Sequence, residues 1–366
     1  MSDAPLLLTP GPLTTDPAVR AAMQKDWGSR DPAFIALTAE LRARLVQLAK
    51  GDATHVAVPI QGSGTYILEA AIGSLVGASD KLLVLANGAY GERMASIAKR
   101  LGRAVEVLRC DEDRPVDPDA VFDALKDASI THVALVHCET TTGILNPSEA
   151  VADVVAEAGR VLLLDAMSSF GALPINLSRT QIGAVLASGN KCLEGAPGVA
   201  FALVERALLA GSAGRSASLS LDLAAQWQGF EADGQWRFTP PVQVVAALVE
   251  ALRLLEREGG PAARLRRYQA NLDTLIAGAT AVGLELYLER ALQAPIIATF
   301  RAPGGRRFNF DAFYQALVRR GFIIYPGKLT RAETFRIGCI GAVRPADFER
   351  LGAALGPALD EASVRS

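Results

Sequence analysis

Short apolar runs alternate with helical patterns between Val56 and Asp165, and this alternation most constrains what the chain can fold into. Strand-like runs fall at Val56–Ile60, Lys81–Ala86, Ala104–Cys110, His132–His137 and Val161–Asp165. Helical stretches separate them, starting at Tyr66–Ser74 and continuing through Glu92–Leu101, Pro118–Lys126 and Glu149–Ala158. Repeated strand–helix units predict an α/β fold: a mainly parallel sheet with helices on both faces. Ligands of such sheets sit beyond the carboxyl ends of the strands. The residues just after each apolar run are therefore the candidates for chemistry.

The flanks read differently. The first 15 residues are rich in Pro and Thr and predict an extended arm. Asp16-Pro17 is a helix start, an acid at the N-cap with proline at the first helical position. Phe34, Leu37, Leu41, Leu45 and Leu48 form one stripe of a longer helix, with Gly51 expected just past its end. After Val204 the pattern changes. Helices are expected over Val242–Arg257 and Ala262–Ala277, the second closed by Gly278. Short strands follow at Ile296–Phe300, Phe322–Tyr325 and Phe335–Ile340, with helices near Asp311–Arg320 and Pro345–Ala354. The expected organisation is an arm over 1–15 on the rim of the site, a large domain over 16–257 and a smaller α+β domain over 258–366. The stretch Gly211–Phe238 reads as irregular, and a loop that long is usually functional or covered by a partner.

Composition excludes several function classes. A net charge of -2 gives no electrostatic case for nucleic acid or an anionic membrane. No apolar run reaches the ~18 residues of a membrane-spanning helix. The start, Met1 to Pro12, lacks the basic region and apolar core of a signal peptide. Cys110, Cys138, Cys192 and Cys339 are scattered, and with His55, His132 and His137 they form no metal-ligand spacing. They read as reduced thiols in a cytoplasmic protein.

Several strand-end segments carry chemistry. Lys191 stands 26 residues after Asp165, each following an apolar run. Neighbouring parallel strands would bring this acid and this amine to one edge of the sheet. That pair is what pyridoxal phosphate (PLP) requires, an amine to condense with its aldehyde and a carboxylate to keep the pyridine nitrogen protonated. The alternative is an ordinary strand-end acid and a surface lysine. Gln61-Gly62-Ser63-Gly64-Thr65 can cradle a phosphate, since glycines admit an anion and the N–H groups of a helix N-terminus bind it. It is neither a Walker loop nor a dinucleotide fingerprint, and a plain tight turn competes. Tyr90, in Asn87-Gly88-Ala89-Tyr90-Gly91, could lie on a flat ring or simply cap a turn. Thr140, Thr141 and Thr142 could donate to a phenolic oxygen, although such hydroxyls also bond the local backbone. Arg336 lies in an apolar strand and needs an anionic partner, either an internal carboxylate or a substrate.

In order and together, these segments resemble the 2-aminoethylphosphonate–pyruvate transaminase family of the fold-type I PLP enzymes, in their alanine–glyoxylate-like branch. The resemblance runs from Leu6 to about Leu351. Besides the segments above it is carried by Leu8 to Thr15, Asp165-Ala166-Met167-Ser168-Ser169-Phe170-Gly171, Asn190-Lys191-Cys192, Ser218 to Leu223, Trp236-Arg237-Phe238-Thr239 and Ile324-Tyr325-Pro326-Gly327-Lys328. It implies that Lys191 is the Schiff-base lysine and Asp165 the pyridinium partner. It further implies that Tyr90 stacks on the ring, that Ser63, Gly64 and Thr65 hold the phosphate, and that Thr140 meets the ring hydroxyl. Arg336 would bind the acidic group of each substrate in turn. Thr239 would reach the phosphate of the other subunit's cofactor, so that a homodimer shares its sites. Arg30 stands where relatives often carry tryptophan, and it would add a second anion contact or pair with Asp31. The implied reaction converts 2-aminoethylphosphonate and pyruvate to phosphonoacetaldehyde and L-alanine. The rival readings are an alanine–glyoxylate or serine–pyruvate transaminase and, further off, a PLP lyase or desulfurase.

Overall fold

The computed structural model describes residues 4–304, 307–328 and 332–364. Seven strands form the central sheet: β1 (His55–Gln61), β2 (Lys81–Ala86), β3 (Ala104–Arg109), β4 (Ile130–Val136), β5 (Val161–Asp165), β6 (Ala184–Ser188) and β7 (Val199–Glu205). Their spatial order is β1-β7-β6-β5-β4-β2-β3. Only β7 runs against its neighbours, and the rest are parallel, as the strand–helix alternation predicts. The inner strands are continuously apolar because both faces are covered, whereas the edge strand β3 alternates with exposed residues such as Glu106. Val133 and Leu135 of β4 pack with Phe34, Leu41 and Val249, while Ala134 and Val136 face Ile67, Ile72 and Met94. Helices α1 (Pro32–Leu48) and α5 (Val242–Glu258) cover the first face, and α2 (Gly64–Leu75) and α3 (Ala89–Arg100) cover the second.

Local signals explain most helix ends. Asp16 accepts a hydrogen bond from the Ala18 N–H and starts the helix Pro17–Ala21, as its pairing with Pro17 predicts. Gly51 follows the end of α1 as expected, and its N–H donates to Val46 O at 3.1 Å. Lys50, not Gly51, takes the left-handed conformation, with φ of 54°. Gly51 lies close to its neighbours, where a Cβ would stand 2.9 Å from Leu177 Cδ1 and 3.2 Å from His55 Cβ. Gly211–Phe238 is not irregular throughout. Leu223–Asp233 forms α4, opened by the Asp222 carboxylate on the Ala225 N–H and closed by Gly234 at φ 76°.

The remaining chain builds a second core. A pair of left-handed glycines, Gly259 and Gly260, separates α5 from α6 (Gly260–Ala281). Gly278 lies inside α6 rather than past its end. A Cβ on it would sit 2.9 Å from the Cα of Gly352 in α7 (Pro345–Ala362), so this glycine lets two helices touch backbone to backbone. The strands β8 (Ile297–Arg301), β9 (Tyr325–Pro326) and β10 (Thr334–Gly338) pair antiparallel in the order β8-β10-β9. The run expected over Phe322–Tyr325 is thus two pieces. Phe322–Ile323 pairs in parallel with Leu6–Leu7 of the arm, and only Tyr325–Pro326 joins β10. Phe300, Phe313, Phe335 and Phe348 fill this core together with Leu8. The arm continues along β10, where the Gly338 N–H donates to Leu8 O at 2.9 Å.

Candidate active site

Asp165 is the last residue of β5 and pairs in register with Leu186 of β6. The chain leaves β6 at Ser188 and reaches Lys191 within one turn. Acid and amine therefore emerge from adjacent parallel strands at the same edge. Asp165 is buried, and its Oδ1 accepts from the Met167 N–H at 2.9 Å. Burial pushes its carboxyl up to about 7; Glu139 adds to the rise and Lys191 opposes it. Burial likewise lowers Lys191, against the pull of Tyr90 and Asp165. Both groups have lost water without gaining a full partner, which favours their neutral forms. Gly11 of the arm presses on the lysine. At φ 123°, a Cβ there would stand 2.7 Å from Lys191 Cδ and 2.8 Å from Asn190 O.

The expected phosphate turn lies between β1 and α2. Ser63 occupies the N-cap of α2 with an extended backbone and makes no side-chain cap hydrogen bond. The Gly64 and Thr65 N–H groups and the Ser63 hydroxyl are thus available to an anion, while the Tyr66 N–H donates to Ser63 O. A Cβ on Gly64 would meet Met167 Sδ at 2.7 Å, so the glycine lets this turn lie against the Asp165 loop. Thr65 Oγ1 accepts from Arg93 Nη1 at 3.3 Å. Arg93 brings a cation to the turn, and the sequence offered no sign of it beyond a charged residue in a helix.

Tyr90 sits in the first turn of α3, and the Thr140 side chain lies beside its phenol. Burial raises the phenol's pKa, but Lys191, Thr140 and Lys328 together bring it below the usual value. Thr142 bonds the local backbone, whereas Thr141 reaches across to the start of α3. Thr141 Oγ1 accepts from the Ala89 N–H, and Thr142 Oγ1 from the Ile144 N–H. Glu139 is the residue that sequence reasoning passed over. It is fully buried, accepts from the Tyr90 and Gly91 N–H groups through Oε2, and accepts from the Thr141 N–H and hydroxyl through Oε1. It therefore pins the N-terminus of α3 to the threonine segment. Burial raises its pKa despite these donors.

Arg336, on β10, is 2% exposed. Its Nη1 donates to Thr140 O at 2.9 Å and its Nε to Pro326 O at 3.0 Å. Among the described residues no carboxylate forms an ion pair with it, so the internal-acid alternative does not hold there. Backbone carbonyls fix the guanidinium but leave its charge uncompensated.

Behind Lys191 lies a buried ionic cluster that holds its loop. Glu194 adopts φ of 61°, unusual for a non-glycine, and accepts from Tyr268 Oη at 2.5 Å and Arg267 Nη2 at 2.8 Å. Arg264 Nη1 donates to Cys192 O at 2.9 Å, and Arg267 Nη1 donates to Gly341 O and Val343 O. The lysine loop is thus tied to α6 and to the segment that follows β10.

Arg30 and Thr239 are exposed and share a separate cavity of about 300 Å³ with Trp236 and Phe238. Lys191 is not among the residues that line this cavity. Beside them Tyr66 and Phe238 are 52% and 42% exposed, close to the phosphate turn.

The donor set fits PLP. It offers a buried acid for the ring nitrogen, a buried amine for the aldehyde, an uncapped helix N-terminus with Arg93 for the phosphate, and the Tyr90–Thr140 pair for the ring. A model of the class-V aminotransferases matches residues 20–321. The chain belongs to that family. Class-V aminotransferases are PLP-dependent. A protein of Polaromonas sp. strain JS666 named 2-aminoethylphosphonate–pyruvate transaminase 2 is 50% identical, covering 99% of this chain and 97% of its own. The 2-aminoethylphosphonate–pyruvate transaminase of Pseudomonas entomophila strain L48 is also 50% identical, over 100% and 99%. The solved alanine–glyoxylate aminotransferase of Nostoc sp. superposes with a TM-score of 0.91 at 28% identity, covering 98% of this chain and 96% of that one. This aminotransferase has, among the described residues, no His/Cys/Asp/Glu group suited to a metal ion and no helix long and apolar enough to cross a membrane.

Proposed function

We propose that this aminotransferase moves the amino group of 2-aminoethylphosphonate to pyruvate, giving phosphonoacetaldehyde and L-alanine. The observation that carries the reading is full-length similarity, at 50% identity, to proteins bearing that name. The buried Arg336 supports it, because a site that must hold a phosphonate and then a carboxylate needs a fixed cation rather than a shaped apolar slot. Bound PLP supplies an electron-withdrawing ring that accepts the electron pair left when the donor carbon loses its proton. The chain's own residues do the rest. Asp165 would hold the ring nitrogen. Ser63, Gly64, Thr65 and Arg93 bind the phosphate at the start of α2. Tyr90 would lie on the ring, and Thr140 would meet the ring hydroxyl. The Lys191 amine, whose pKa burial lowers, would take the proton from the donor's amine-bearing carbon and deliver it to the cofactor, then run the transfer in reverse to place a proton on the carbon that becomes alanine's. Arg336 holds the acidic end of each substrate.

The reading includes a cytoplasmic homodimer whose sites are shared. Its support is that Arg30 and Thr239 are exposed beside uncovered Tyr66 and Phe238, next to the phosphate turn. In a second copy those residues would reach the neighbour's cofactor phosphate and substrate. The four free cysteines suit a reducing compartment. The arm (1–15), large domain (16–257) and small domain (258–366) go with this reading, supported by the separate apolar clusters. A desulfurase would need a reactive, mobile cysteine, and the late one, Cys339, is fully buried with its thiol pushed far up by burial.

A donor screen tests the reading. With pyruvate as acceptor, 2-aminoethylphosphonate should outperform alanine, serine and taurine. Alanine–glyoxylate turnover without phosphonate turnover would overturn the donor assignment. For the dimer, mixtures of Lys191→Ala and Thr239→Ala chains should recover activity that neither has alone. A holoprotein that sediments as an active monomer would refute sharing.

A further inference from the structure

We propose that Lys328 is a specificity-determining residue, supplying at the Arg336 end of the site the second positive charge that favours a phosphonate over a singly charged acid. The inference rests on the donor reading above. One hairpin carries both cations. Tyr325 of β9 pairs with Arg336 of β10, and Arg336 Nε donates to Pro326 O at 3.0 Å. The chain then passes through Gly327, whose N–H donates to Thr334 O at 2.9 Å. A Cβ on Gly327 would stand 2.1 Å from Thr334 Oγ1, so only glycine lets the strands lie this close. That tight passage sets the direction of the next residue, Lys328. Its Nζ stands 5.2 Å from the centroid of the Tyr90 ring. Tyr90 is also within electrostatic reach of Arg336 and Lys191. The ring expected to lie on the cofactor is thus approached by both cations of the hairpin.

The surrounding charges leave Lys328 available. Arg93 also stands over the Tyr90 ring, at 4.8 Å, but donates to Thr65 on the phosphate turn. The cavity that Lys328 lines holds Glu92, Asp111 and Glu112, and Glu92 is paired with Arg109 at 2.6 Å. Among the described residues no carboxylate forms an ion pair with Lys328.

The chemistry matches two unlike cations to two unlike anions. A carboxylate carries one charge and two oxygens, which a planar guanidinium can satisfy alone. A phosphonate resembles a phosphate monoester: it has a third oxygen and loses a second proton near neutral pH. A lysine ammonium is a compact charge on a flexible stem, able to add a donor to that oxygen. Because Lys328 is exposed, it can withdraw into water when pyruvate occupies the same place. A buried second arginine would instead impose an uncompensated charge on the carboxylate-bound state.

The test uses the PLP-loaded protein and two tetrahedral probes that differ in charge, ethylphosphonate and ethanesulfonate. Their dissociation constants are measured by calorimetry at pH 8 for wild type and for Lys328→Met, which keeps an unbranched stem one atom shorter and removes the charge. The variant should weaken ethylphosphonate roughly fivefold to tenfold, the size expected for a partly screened ion pair. Ethanesulfonate should change by less than about twofold, and Lys328→Arg should restore part of the preference. Equal weakening of both probes, or of neither, would overturn the assignment of Lys328. Turnover of 2-aminoethylphosphonate by wild type separates the two ideas. If it is present and the probe ratio does not move, Lys328 alone is wrong. If it is absent, the donor reading has failed and the inference goes with it.

Discussion

Replacing Asp165 by asparagine should stabilise the cofactor-free protein at pH 8 while removing its activity. Asp165 titrates near 7 in the folded chain because burial strips water from its charge, against 3.8 when unfolded. Between those values the folded protein holds a proton that the unfolded chain has released, so stability falls as pH rises through the window. Each pKa unit corresponds to about 1.4 kcal/mol, so the whole window is worth on the order of 4 kcal/mol. Between pH 5 and pH 8 the wild type should lose about 3 kcal/mol through this one group. Asparagine has no charge to bury, and the variant lacks that loss. The melting temperature of cofactor-free protein, followed by circular dichroism from pH 5 to 8, should therefore separate the two chains by several degrees at the upper end and little at the lower. In the loaded protein the order reverses: PLP should stabilise the wild type more, and the variant should fail to turn over. Parallel melting profiles for the two cofactor-free chains would refute the claim that Asp165 is a desolvated acid awaiting a cation.

Three further substitutions probe the same site. Gly11→Ala places a methyl 2.7 Å from Lys191 Cδ in a backbone with φ of 123°. It should cost about 1–3 kcal/mol and lower kcat more than KM, as read by melting and steady-state kinetics. Arg336→Lys removes the planar fork, and apparent KM should rise for both 2-aminoethylphosphonate and pyruvate with PLP content unchanged. An effect on one substrate alone would point to Arg30 for the other. Glu139→Gln sets an amide NH₂ against N–H donors whichever way it is turned, because both carboxylate oxygens accept. It should cost about 1–3 kcal/mol and weaken PLP binding measured by fluorescence, through displacement of Tyr90.

What the sequence made legible follows from how each residue acts. The sheet was readable because strands covered on both faces must be apolar throughout, and those runs are bounded by helices of ordinary amphipathic pattern. Lys191 and Asp165 were readable because parallel neighbours align their carboxyl ends. A glycine misled where its reason was space rather than conformation. Gly278 looked like a helix stop, yet it lies within α6 and serves a close contact with Gly352, far away in sequence. The helix Leu223–Asp233 was hidden by its Gln, Trp and Gly content, although Asp222 and Gly234 are ordinary end signals. Glu139 and Arg93 act across elements, and no local spacing announces a partner that folding alone brings near.

The buried charges of this site share one property. Asp165, Lys191 and Arg336 have each been taken out of water, and none has a matching opposite charge close enough to offset the loss. Elsewhere in the chain buried charges are treated differently: Arg264 and Arg267 are paired with Glu194 and Glu258. The contrast separates structural ionic clusters from functional ones on physical grounds. A structural cluster closes its own charge balance, and its removal costs stability. A functional one is left open, and the missing charges describe the ligand: a cation facing Asp165, an electrophile facing Lys191 and an anion facing Arg336. Pyridinium, aldehyde and substrate acid meet those three demands. The exposed Lys328 meets the one demand that changes between the two half-reactions, and a mobile side chain in water can answer it where a buried one could not.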